Sequence, residues 1–134
     1  MKRFVSMLLA VVMLLCITIS SASAAGFSTP TLSKNGVYNT SAVTKTTGNG
    51  VAAGADVSGM TTNATFHFRV WKSSPVWQAS DGVRKTGTGH VTMTTLYDNY
   101  GQPRLWKGVS YYLAVTHSQY SNVSSGSTCG EWNP

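Results

Sequence analysis

Acidic side chains are scarce in this chain. Asp56, Asp81, Asp98 and Glu131 stand against ten lysines and arginines and three histidines. Asp81 precedes a glycine and Asp98 an asparagine, in stretches that read as turns, and no two acids share a glycosidase-like pattern. The serines form no GxSxG elbow. "GNG" and "GTG" are turn glycines rather than phosphate loops, because no helical pattern follows either. Cysteine is limited to Cys16 and Cys129, and no window carries a sustained helical period with a cap. No catalytic residue, cofactor or metal is therefore expected.

What is present begins with an export pattern. Lys2 and Arg3 precede an almost wholly apolar run from Leu8 to Ile19, and "SSASAA" supplies the small residues of a cleavage site. The run, about 12 residues, is short of the ~20 a spanning helix needs. Residues 1–25 read as a signal peptide and 26–134 as one secreted domain. Cys16 follows Leu15 inside the apolar run, which does not suit lipidation. No second apolar stretch could span a membrane, and no LPxTG-like motif ends the chain. Eight basic residues against four acids leave the exported part at about +4, a charge that suits acidic envelope polymers, or simply solubility. Export argues against nucleic acid as partner.

The exported part alternates with a period of two. In "NATFHFRVWK", Ala64, Phe66, Phe68 and Val70 share one face, while Thr65, His67, Arg69 and Trp71 share the other. "VSYYLAVTHS" repeats this with Val109, Tyr111, Leu113 and Val115 against Ser110, Tyr112, Ala114 and Thr116. "HVTMTTLYD" is a third strand. Weaker ones are expected at Thr40–Thr47, Val51–Gly59, Val76–Ser80 and Ser127–Trp132. The separators are turn chemistry, such as Asn35-Gly36, Ser73-Ser74-Pro75 and "DNYGQP". About seven short strands predict an all-β, antiparallel two-sheet sandwich, immunoglobulin-like or jelly-roll-like, with a small barrel as the rival. Pro30–Asn35 reads as a loose lead-in, and the first residues after cleavage as disordered.

Cys129 is the one cysteine left after cleavage. An intramolecular disulfide is then impossible, so Cys129 is a buried small side chain, an interchain disulfide in a homodimer, or a reactive thiol. Glu131, on the same strand face, opposes the last. His67, His90 and His117 fall on three predicted strands and could hold zinc only if those strands were neighbours with shared faces. Without HxH or HxxxH spacing, single histidines on solvent faces are the simpler reading.

Aromatic rings carry the binding signal. Trp71 and Tyr112 alternate outward, and Trp77, Tyr100 and Trp106 lie near turns, beside Arg69, Lys72, Arg104 and Lys107. Flat rings next to cations suit sugar faces or a lipid interface; the competing reading is that they cover a second sheet face or plug the sandwich ends. The contacts expected are Trp71, Trp106, Arg69, Lys72 and Lys107.

"SASAA", "KGVSYYLAVTHS" and "GEWNP" together resemble the small exported β-rich proteins of unknown function from Gram-positive bacteria. In size, export and cationic composition the chain is more distantly similar to the lactococcin 972 class of bacteriocins. Neither resemblance assigns a residue. The expectation is a secreted, non-enzymatic module that binds a cell-envelope polymer or glycan. The alternative is a secreted bacteriocin-like antibacterial protein, and the third reading a small secreted hydrolase.

Overall fold

Alternating apolar residues can bury one face of a strand only if a second layer meets it, and two sheets supply that layer here. The structure is a computed structural model and describes residues 24–134. Of the expected signal peptide, residues 1–23 lie outside them. Twelve strands are found among the described residues: β1 (Ala25–Ser28), β2 (Leu32–Ser33), β3 (Val37–Asn39), β4 (Val43–Thr44), β5 (Ala53–Met60), β6 (Thr65–Ser73), β7 (Val76–Gln78), β8 (Val83–Thr86), β9 (Gly89–Met93), β10 (Ser110–His117), β11 (Ser125–Gly126) and β12 (Thr128–Asn133). None of these residues forms a helix long and apolar enough to cross a membrane.

Sheet one runs β1-β12-β5-β9, antiparallel throughout. Sheet two is built on the central pair β10-β6. Both β3 and β4 pair with the free edge of β10, and both β7 and β8 with that of β6. A short β2-β11 pairing stands apart. The sheets are all-β, as the alternation predicts, and open, so the rival small barrel does not form among the described residues.

The core lies between them. Phe66, Phe68 and Val70 of β6 and Tyr111, Leu113 and Val115 of β10 are fully buried, facing Ala55, Val57, Val91, Met93 and Trp132 from sheet one. Each such large side chain contributes about 1.5–3 kcal/mol by leaving water. Phe27 of β1 meets Phe68 edge-on across the gap, with ring centroids 6.2 Å apart. Trp132 lies between Ala25 on one neighbouring strand and Ala55 on the other, so two small residues make room for the largest one.

Several expectations change. The stretch after the signal is ordered into edge strand β1, because Phe27 has a place in the core. The loose lead-in contains β2, and the strand expected at Thr40–Thr47 shrinks to Val43–Thr44. His117 is not on a solvent face. It continues the inward series of Tyr111, Leu113 and Val115, and its ring packs against Phe66 at 5.1 Å.

Candidate functional site

Hairpin geometry builds the first site. The turn at Ser74-Pro75 folds β7 back on β6 so that Ser73 pairs with Val76, Lys72 with Trp77 and Trp71 with Gln78. Lys72 therefore shares a face with Trp77, and its ammonium sits over that ring, 5.1 Å from the centroid. Arg104 reaches the same ring at 5.5 Å. Such pairs contribute about 0.5–2 kcal/mol each. Arg104 Nη1 also donates to the Gln78 carbonyl at 3.1 Å, which leaves the guanidinium little freedom.

The loop from Thr95 to Val109 supplies the opposite wall. Thr95 Oγ1 accepts from the backbone N–H groups of Arg104 and Leu105, both at 3.1 Å, and the Leu105 side chain is fully buried. Tyr111 Oη, rising from the core, accepts from the Trp106 N–H at 2.8 Å and donates to the Arg104 carbonyl at 2.9 Å. Burial pushes the Tyr111 hydroxyl above its ordinary pKa, partly offset by the Trp106 N–H bond. The Trp106 indole N–H donates to the Pro103 carbonyl. Asp98 Oδ1 accepts from the N–H groups of Tyr100 and Gln102, closing the tip of this loop. Trp77, Asp98, Pro103, Arg104 and Trp106 together line a cleft of about 460 Å³ at one end of the sandwich. Trp77 is half-buried beneath two cations, whereas Trp106 is 40% exposed.

The five expected contacts are thus divided. Lys72 and Trp106 gather around Trp77, and Lys107 follows Trp106, exposed, with its N–H bound to Asn49 Oδ1 at 2.8 Å. Arg69 and Trp71 are not brought to this cleft. They stand on the outer face of sheet two, where Trp71 is directly opposite Tyr112 and both rings are half-buried. Trp77, Asp98 and Tyr111 are site residues that the sequence reading did not commit to. The Lys72–Trp77 pairing was open to sequence, since a two-residue turn at Ser74-Pro75 fixes that register. The Arg104 contact was not, because it crosses from an irregular loop.

The outer face of sheet one has the opposite character. Asp56 lies directly opposite Glu131 on one side and His90 on the other, with His90 Nδ1 2.7 Å from Asp56 Oδ1. That pair is open to water, with side chains 59% and 77% exposed. Water at that exposure screens the pair and leaves little to sharpen a nucleophile. Cys129 sits on the same face, half-buried, with its sulfur 3.8 Å from Ser58 Oγ. Gly59 lies beneath that sulfur, where a Cβ would come within 2.9 Å. The three histidines do not converge: His67 faces outward on sheet two, His117 faces the core, and His90 is on the other sheet. No group of three metal-ligating side chains forms among the described residues.

The cleft and the two dissimilar sheet faces define an all-β sandwich with a cation-lined aromatic end. No protein-family model matches the chain, and no curated protein matches it.

Proposed function

We propose that the protein is an exported, non-enzymatic module that binds a cell-envelope or surface glycan in the Trp77–Trp106 cleft. Trp106 is the ring free to stack on a sugar face. Trp77 holds Arg104 and Lys72 in place, so that fixed cationic donors flank the stacked sugar. One Asp98 oxygen is committed to its own loop; the other has no protein partner among the described residues and can accept from a hydroxyl. The observation that carries this reading is the placement of Arg104 against Trp77, Gln78 and an exposed Trp106 within one cleft.

The test is co-sedimentation of residues 26–134 with isolated Gram-positive envelopes. Pelleting at physiological salt that is lost in Trp106→Ala supports the reading; protein left in the supernatant overturns it. Growth arrest of the strain supplying the envelopes would move the reading to a bacteriocin-like antibacterial protein, since binding alone serves both.

A further inference from the structure

A second concave site lies on the outer face of sheet two, towards the end of β10 away from the cleft, with Thr116 of that strand in its lining. This groove, of about 350 Å³, includes His67, Arg69, Arg84, Thr116, Ser118 and Tyr120 in its lining. Strand pairing sets it out. Arg84 of β8 is directly opposite His67 of β6, and Arg69 is two residues further along the same face. The two arginines are diagonal neighbours, about 7–8 Å apart at their backbones.

Each guanidinium is held by something other than a carboxylate. Arg84 lies over the Tyr120 ring, 4.7 Å from its centroid. Arg69 Nη2 donates to His67 Nδ1 at 3.0 Å. The imidazole itself is seated over Gly82, where a Cβ would come within 2.1 Å of Nε2 and 2.9 Å of Arg69 Nε. Only glycine leaves room for that arrangement. Burial, and then the Arg69 charge, lower the His67 pKa, against a backbone hydrogen bond to Gly82 and with a smaller push from Arg84. His67 is therefore neutral at physiological pH and serves as acceptor for Arg69. The one ion pair among the described residues is His90–Asp56, on the other sheet. Two positioned positive charges thus face a groove with no acid paired to either.

We infer that the groove between Arg69 and Arg84 is a binding site for a phosphate group. A carboxylate has two oxygens and fills one guanidinium fork. A phosphate presents three or more and can engage two forks at once. Thr116 and Ser118 also line the groove, and the Ser118 hydroxyl accepts from the Tyr120 N–H at 3.2 Å. The site shares no lining residue with the cleft, and stands whether or not the cleft binds glycan.

The experiment is a titration of ¹⁵N-labelled residues 26–134 with inorganic phosphate, against sodium chloride at matched ionic strength. Arginine Nε–Hε and histidine ring signals are followed. Saturable shifts at Arg69, Arg84 and His67 are expected, and His67 should titrate at higher pH in the presence of phosphate. Arg84→Ala should weaken binding about tenfold or more, with Arg84→Lys failing to restore it because lysine has no fork. Lys107→Ala removes the same charge at the other end and should leave binding unchanged. Shifts that never saturate, that chloride reproduces, or that Lys107→Ala abolishes equally would overturn the site. A glycerol-phosphate oligomer and phosphatidylglycerol vesicles then identify the source. Tighter binding to the oligomer assigns a phosphodiester polymer, and tighter binding to vesicles a lipid headgroup.

Discussion

The hydroxyl of Tyr111 is fully buried and bridges the Trp106 N–H and the Arg104 carbonyl. A core residue of β10 thereby sets the position of the loop wall of the cleft, from Arg104 to Trp106. Tyr111→Phe keeps the ring and removes the bridge, leaving a backbone donor and an acceptor unpaired. A loss of about 1–3 kcal/mol in urea unfolding is expected, with weaker envelope retention.

Trp106 and Trp71 should separate in a side-by-side test. Trp106→Ala is expected to abolish retention on envelopes while the Tm stays within about 2 °C, because the ring is largely outside the core. Trp71→Ala should leave retention intact and lower the Tm, at roughly 4–8 °C per kcal/mol lost. Trp71 stands directly opposite Tyr112 on the outer face of sheet two, half-buried, and does not line the cleft. Differential scanning fluorimetry alongside co-sedimentation reads both.

Lys45 is buried to 1% exposure, with its ammonium donating to Thr47 Oγ1 and, at 2.9 Å, to the Val51 carbonyl. Burial lowers its pKa from 10.5. The unfolded chain therefore holds this proton up to pH 10.5 while the folded chain gives it up earlier. In that window the unfolded state binds more protons, so stability rises with pH. Urea midpoints of the wild type should climb as pH approaches 10.5 relative to Lys45→Met, in which this contribution is absent.

His67 gives the complementary test at acid pH. Its folded pKa is depressed below 6.5, so the unfolded chain takes up the proton first as pH falls. Its contribution to stability is present above pH 6.5 and declines as pH drops through 6.5 towards the folded value. Gly82→Ala forces the imidazole out of its seat. His67 should then titrate near its ordinary pKa by NMR, and its share of the acid-side loss should shrink.

Much of the fold could be read from two segments. The alternation in "TFHFRVWK" and "SYYLAVTH" placed Phe66, Phe68, Val70, Tyr111, Leu113 and Val115 inside and Arg69, Trp71 and Tyr112 outside, as found. Short strands escaped because their order comes from a partner rather than from their own pattern. β1 exists through β12, and β2 through β11. His117 was misplaced by its polarity, although its position in the alternation pointed inward. Trp132 gave no local hint that Ala25 and Ala55 would flank it, since those neighbours are 107 and 77 positions away in the numbering. Of the cleft, the sequence reading held Lys72 and Trp106 but not the Trp77–Arg104 contact that joins them, because loop geometry is set only once Thr95 and Tyr111 are in place.

The two outer faces carry opposite signs, with Asp56 and Glu131 on sheet one and Arg69 and Arg84 on sheet two. A molecule so polarised feels a torque as well as an attraction in the field of a negatively charged surface. It turns sheet two towards that surface before any contact forms, and the acidic sheet is left facing the medium. Orientation on arrival is then a property of the strand register itself, one that salt weakens within a Debye length of about 8 Å at physiological strength.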